Sequence, residues 1–239
     1  MNKSQVEAYG TTAHNFEITN HAYWGEKARI INFKSEPKNN PFAPEWNYVL
    51  TETIIKDVDF LSLTKFFKNK EKSILKLKTT TDGFTGLGSN STTVRHENYN
   101  VFNWKNKELN KLKKNIVELH NSFLKKLNIK VNNTLFIKCW VNIMKKNEQI
   151  KKHIHGFHPN IYLGGHICIS CNGTSTYYIN PVNQINNPYT YRSPNTVGKL
   201  TLFQNCIPHY TDIHQSDEKR ITLAFDLSLV KGVGYIKLI

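Results

Sequence analysis

Four side chains in the C-terminal part of the chain, His153, His155, His209 and Arg220, have the types and spacing of a metal centre with an anion pocket beside it. In Lys152-His153-Ile154-His155 the imidazoles stand two residues apart. On an extended strand that spacing puts both on one face, so two ligands reach one metal without backbone distortion. A third ligand must come from elsewhere. His209 is the best placed, because Lys199–Gln204 reads as a β-run leading straight into Asn205-Cys-Ile-Pro-His209, and Arg220 opens another run through Asp226. The polar residues between them predict a hairpin turning near Gln215, which sets His209 opposite Arg220 with both side chains facing one cavity. A fixed cation beside a metal suits a ligand that chelates through one end and carries a carboxylate at the other. Thr222, two residues past Arg220, shares its face and can add a hydrogen bond.

A longer series of fragments surrounds these residues: Trp140-Val-Asn142-Ile, His153-Ile-His155, Leu163-Gly-Gly165, Tyr177-Tyr-Ile-Asn-Pro181, Gly198-Lys-Leu-Thr-Leu-Phe203, His209 and Arg220-x-Thr222. In order and spacing the series resembles the Fe(II)/2-oxoglutarate-dependent oxygenases, most closely their phage-type members. The resemblance runs from about Trp140 to Leu229. It implies a double-stranded β-helix (jelly roll) with iron at its open mouth, and 2-oxoglutarate and O2 as partners. Its activity is a dioxygenase reaction that couples decarboxylation of 2-oxoglutarate to oxidation of a second substrate. By the same resemblance His153 and His209 are iron ligands, Arg220 pairs with the distal carboxylate of 2-oxoglutarate, and Thr222 assists it. The chain departs from the family at His155, where most members carry a carboxylate. Two imidazoles and a carboxylate suit non-haem Fe(II). Three neutral imidazoles leave the metal charge uncompensated, so an anionic cosubstrate must do more of that work. His158, in Gly156-Phe-His158-Pro159, is the alternative second ligand, and Asp212 is the nearest alternative carboxylate.

The elements that must position these groups are short and mostly extended. From Thr134 the sequence alternates, with Leu135, Ile137, Cys139, Val141 and Ile143 on one face and Trp140 and Asn142 on the other, so Asn142 is a further candidate for the cosubstrate cavity. Runs at 161–170, 174–180, 199–204, 207–213 and 220–229, separated by Asn, Gly and Pro clusters, indicate a sandwich rather than a parallel α/β sheet. Residues 183–192 read as a rim loop and 232–239 as a closing edge strand.

Upstream, 28–33 and 48–55 are strands, and Asp59 and Asn106 are N-caps of two helices, the first breaking near Lys72 and the second presenting a broad apolar stripe from Leu109 to Leu127. The glycine-containing stretch Asp82–Ser91 lacks the spacing of a phosphate cradle and reads as a surface loop or a lid over the mouth, with His96 and Tyr99 as its polar neighbours. The expected fold class is mainly β (α+β), one domain over 1–239, with residues 1–133 as supporting strands and helices and 134–239 as the jelly-roll core.

No apolar run approaches the ~20 residues that span a bilayer, and the start lacks the apolar core of a signal peptide, so a cytoplasmic, intracellular protein without membrane association is expected. Cys139, Cys168, Cys171 and Cys206 sit in or beside apolar runs, as free thiols do in a reducing compartment. The formal charge of +14 raises nucleic-acid binding. Only four of the 32 basic residues are Arg, however, and the lysines fall on helix faces, which favours solvated surfaces over a binding groove. Two function classes follow. The first is an oxygenase acting on a peptide, protein or small molecule. The second is a jelly-roll binding module for nucleic acid or a virion partner, with a structural metal or none. Arg220 separates them, since a structural metal site has no use for a buried cation beside it.

Overall fold

Alternation of β-branched and aromatic residues with polar ones makes strands the commonest regular element of the described chain. The computed structural model describes residues 16–24, 26–156, 160, 162–182 and 190–238. His158 and residues 183–189 therefore lie outside the described residues. The elements run β1 (Glu17–Tyr23), β2 (Glu26–Lys34), β3 (Asn47–Ile54), α1 (Phe60–Leu75), two short 3-10 turns (Thr93–Asn98 and Val101–Asn103), α2 (Lys107–Lys126), β4 (Phe136–Met144), β5 (Leu163–Ser170), β6 (Ser175–Ile179), β7 (Thr190–Pro194), β8 (Lys199–Gln204), β9 (His209–Thr211), β10 (Arg220–Ser228) and β11 (Ile236–Lys237).

The strands form an eight-stranded sheet in the order β1-β2-β3-β8-β5-β10-β4-β11 and a three-stranded sheet in the order β7-β6-β9. All described pairings are antiparallel. From β5 onward the chain passes back and forth between the sheets, which makes the double-stranded β-helix. The fold is the expected mainly β jelly roll braced by helices.

Both helices start where their capping residues dictate. The Asp59 carboxylate accepts from the Ser62 amide, and Asn106 Oδ1 accepts from the amides of Glu108 and Leu109. The first helix runs on past Lys72 to Leu75, because Ile74, fully buried, adds one more turn to its apolar stripe. Leu63, Phe67, Leu109, Leu112, Ile116 and Phe123 from the helices pack with Ile221, Leu223, Phe225 and Leu227 from β10 in one cluster on the outer face of the large sheet. Each such side chain contributes about 1.5–3 kcal/mol on burial, so this seam anchors β10 firmly. The opposite face looks toward the small sheet. There a second cluster, including Leu50, Tyr178, Tyr191, Phe203 and Ile207, closes one end of the space between the sheets. The other end remains a cavity of about 160 Å³.

Three expectations are corrected. The segment between His209 and Arg220 is not a hairpin. β9 pairs with β6 in the small sheet and β10 pairs with β4 and β5 in the large one. The connection crosses between sheets, held by hydrogen bonds from Asn147 N–H to the His214 carbonyl (2.7 Å) and from His214 N–H to the Glu148 carbonyl (2.9 Å). His209 and Arg220 thus line one cavity from opposite walls. Residues 190–192 belong to strand β7 rather than to a loop. Its Pro194 is tolerated because β7 is an edge strand, where a missing N–H costs no ladder bond. The closing strand shrinks to Ile236–Lys237 on the edge of β4.

Candidate metal centre and anion pocket

The floor of the cavity is a strand whose alternate residues differ wholly in character. On β10 the odd-numbered Ile221, Leu223, Phe225 and Leu227 face the helices, while Arg220, Thr222, Ala224 and Asp226 line the cavity. β4 extends the same floor, with Trp140 opposite Ala224 and Asn142 opposite Thr222.

Three imidazoles meet above it. His153 and His209 form an isolated antiparallel bridge, each backbone N–H donating to the other's carbonyl at 3.1 and 3.0 Å. The His155 N–H donates to the Asn205 carbonyl (3.0 Å), which fixes the third ring. The ring centroids lie 4.4 Å (153 and 209), 5.1 Å (155 and 209) and 5.6 Å (153 and 155) apart. One ring nitrogen of each lies within 4.8 Å of the other two, a spacing that could hold a metal ion. Gly164 makes room for this packing, since a Cβ there would stand 2.9 Å from His155 Nδ1 and 2.8 Å from Asn205 Oδ1.

The hydrogen bonds select the tautomers. Nδ1 of His153 meets the Lys151 carbonyl (2.9 Å), Nδ1 of His209 meets the Ile207 carbonyl (3.1 Å), and Nδ1 of His155 meets Asp226 Oδ1 (2.5 Å). A carbonyl or carboxylate only accepts, so each Nδ1 is the donor, which leaves Nε2 as the nitrogen for a metal. Burial also opposes protonation of two of the rings. It lowers His153 to about 4, helped by the neighbouring His155 charge, and takes His209 well below the usual imidazole value, helped by His153 and His155. Imidazole nitrogens that come this close together can ligate a divalent transition metal.

Arg220 lies at the deep end of the cavity, 2% exposed. The chain's other arginines find oxygen partners: Arg29 on Glu52, Arg95 on four backbone carbonyls, and Arg192 on Ser175. Arg220 Nη1 instead donates to the thioether of Met144 (3.0 Å), a weak acceptor, its side chain also reaches the Cys171 thiol, and its Nε has no partner among the described residues. A buried guanidinium without an oxygen partner has donors to offer an anion. Thr222 (3% exposed) and Asn142 (5%) flank it, with Asn142 Oδ1 accepting from Thr93 (2.7 Å).

His166, on β5 opposite Ala224, also lines the cavity; its Nε2 meets the Tyr178 hydroxyl (2.5 Å) and its Nδ1 has no partner among the described residues. Burial, then the charges of Arg220 and Lys199, lower it to about 3. The folded protein therefore refuses a proton that the unfolded chain takes up below about pH 6.5. Its contribution to stability is complete above that value and falls as pH drops toward 3, by at most ~1.4 kcal/mol per pH unit. Urea unfolding of the metal-free protein at pH 7.5 and pH 5 should show this loss, and His166→Asn should have the shallower pH slope. Equal slopes would mean that His166 takes up its proton in the folded state.

The sequence matches no family model, and no curated protein is similar to it. Solved structures are similar in shape. A Pseudomonas putida prolyl-4-hydroxylase superposes over 77% of this chain and 93% of its own, with TM-score 0.52 and 10% identity. A non-haem alpha-ketoglutarate-dependent epimerase from nogalamycin biosynthesis superposes over 80% of this chain and 91% of its own, with TM-score 0.52 and 9% identity. The chain shares their fold. An oxidoreductase of the 2OG-Fe(II) oxygenase family from Burkholderia pseudomallei matches over 54% of this chain and 63% of its own, at TM-score 0.41 and 15% identity.

Every described residue singled out for the site, His153, His155, His209, Arg220, Thr222 and Asn142, lines this one cavity. Asp212 does not: it accepts from the Ser175 amide (2.7 Å) on the small sheet. The carboxylate that does reach the histidines is Asp226. Of the glycine-containing loop, Asp82, Gly83 and Thr85 line the mouth, and the Thr85 carbonyl accepts from the Lys151 amide (2.8 Å), tying the loop to the histidine segment. His96 joins them beside Trp140, with centroids 5.3 Å apart, whereas Tyr99 turns away to stack on Trp104 at 5.5 Å. Among the cysteines, Cys139 and Cys168 are buried and Cys171 and Cys206 are only partly so. The Cys171 thiol is lowered by its hydrogen bond to Cys168 and then by Arg220. No described helix is long and apolar enough to cross a membrane.

Proposed function

We propose that the chain is an Fe(II)- and 2-oxoglutarate-dependent dioxygenase of a peptide, protein or small molecule. The observation that carries this reading is the pairing, in one cavity, of three metal-competent imidazoles with a buried guanidinium that has no oxygen partner among the described residues. Both cofactors fit these residues. His153, His155 and His209 would hold the metal through three nitrogens and leave it open to exogenous ligands, which a closed structural site does not. The orphaned Arg220 is the natural partner of a carboxylate at the deep end. When bound, Fe(II) with 2-oxoglutarate and O2 supplies the oxidising chemistry.

The chain supplies placement. His153 and His209 hold the metal on a rigid backbone bridge, so neither ligand needs to be ordered on binding. Arg220 fixes the far carboxylate of the cosubstrate with a planar fork, and Thr222 adds a hydroxyl on the same face. Asn142 holds its own orientation through Thr93 and borders the same pocket. Trp140, His96 and the Asp82–Thr85 loop form the outer wall, where the second substrate enters and bulk water is displaced.

Anaerobic titration of the purified protein with Fe(II) and then 2-oxoglutarate should produce the visible charge-transfer absorption of the chelate at a stoichiometry of one. Its absence, with the protein folded and Fe(II) bound, would rule out the cosubstrate; absence of Fe(II) binding would rule out the metal centre.

A further inference from the structure

The ligand set suggested by three imidazoles has a charge problem, and the structure holds a group placed to solve it. A divalent metal on three neutral histidines keeps its full +2 charge. A chelating carboxylate cancels one unit, and the distal carboxylate of the cosubstrate is matched separately by Arg220. A site with two histidines and a carboxylate would be neutral at that stage, whereas this one retains +1. Asp226 stands directly behind His155, its Oδ1 2.5 Å from Nδ1. The His155 side chain is 7% exposed and that of Asp226 22%, so the pair is largely withdrawn from solvent and its charge is only partly screened.

We infer that Asp226 is a positioning residue for the metal centre: acting through His155, it supplies the negative charge and ring orientation that a directly coordinated carboxylate would otherwise give. The inference rests on the metal-centre reading above. A carboxylate behind a ligating imidazole fixes its tautomer, holds its plane and raises the basicity of the far nitrogen. The site is built for this contact. Gly164, opposite Asp226 in the β5–β10 register, has no side chain to block the ring, and a Cβ there would press on His155 Nδ1. Lys138, opposite Asp226 on the other side, directs its ammonium to the Glu97 carbonyl (3.0 Å) instead of pairing with the aspartate. Asp226 also shares the cavity face of β10 with Arg220, so one strand carries the anion that serves the metal end and the cation that serves the distal end.

Two measurements test it. In the metal-free protein, nitrogen-15 correlation spectra of the histidine rings at pH 7.5 should show His155 as the Nδ1–H tautomer, and Asp226→Ala should mix or invert that tautomer while leaving His153 and His209 unchanged. Calorimetry with Co(II) should show affinity weakened about 10–100-fold by Asp226→Ala. Asp226→Asn, near-isosteric and still able to accept from Nδ1–H, should retain the tautomer yet lose at least about 10-fold in affinity, because it lacks the charge. Wild-type affinity in both variants would overturn the inference while leaving the metal centre standing. An Asn variant equal to wild type beside a weakened Ala variant would overturn the charge role. A wild-type protein that takes up no Co(II) at all would overturn the metal reading and this inference with it.

Discussion

Replacing His209 by alanine should abolish stoichiometric metal binding, with affinity reduced by more than ~100-fold, beyond what loss of an outer hydrogen-bond partner costs. The residue is 6% exposed and its ring is close to both others, with centroids 4.4 Å from His153 and 5.1 Å from His155. Its removal leaves two imidazoles, and no other described His, Cys, Asp or Glu completes a ligand group of three with them. The backbone bridge to His153 needs no side chain, so the variant should fold. His153→Ala should behave alike, since its ring meets that of His209 from the opposite side of the same bridge. Elemental analysis after anaerobic reconstitution with Fe(II), with circular dichroism to check folding, is the measurement. Full metal content in both folded variants would sink the assignment. Loss of metal in both, with cosubstrate absorption lost in parallel, is the expected result.

Much of this site was legible from residue types because the cavity is built on alternation. Arg220 and Thr222 share a face by period two, and so do Trp140 and Asn142, and the structure keeps both pairs in the cavity. The same rule, carried four residues further along β10, reaches Asp226. It went unread because an aspartate at the end of an apolar run looks like the polar stop of a strand. Nothing local says that a loop seventy residues upstream brings His155 against it. The hairpin between His209 and Arg220 failed for a related reason. Local pairing is the default for consecutive strands, but a jelly roll sends them to opposite sheets, and which sheet a strand joins is set by distant partners such as β4 and β6. Strand β7 was hidden by its proline and by three polar residues among its five. As an edge strand it meets lower demands than a central one. Helix starts, in contrast, depend on one side chain and the next few amides, so Asp59 and Asn106 could be read directly.

Arg220→Met should leave metal binding intact and raise the 2-oxoglutarate concentration needed to form the chelate by more than ~100-fold, the scale of several kcal/mol that attends removal of one partner from a buried charge pair. Arg220→Lys should fall between, since an ammonium attracts the carboxylate but cannot make the two parallel bonds of a guanidinium. The more telling measurement is made without cosubstrate. In the structure Arg220 is buried against two weak sulfur partners, Met144 and the Cys171 thiol, with its Nε unpartnered among the described residues, so the metal-free protein bears much of the desolvation of that cation. A methionine of similar reach, placed among Met144 and the neighbouring strand, removes the charge and keeps the packing. The variant's Tm without 2-oxoglutarate should therefore equal or exceed that of the wild type, and the order should reverse when saturating 2-oxoglutarate stabilises the wild type by mass action. A structural arginine predicts the opposite, a Tm that falls with or without cosubstrate. If Arg220→Met is destabilised in the absence of 2-oxoglutarate and binds it as tightly as the wild type, the guanidinium holds the sheet together and the cosubstrate binds elsewhere. If stability is kept and cosubstrate affinity is lost, the buried cation exists for the ligand, since the described residues give it no oxygen to hold.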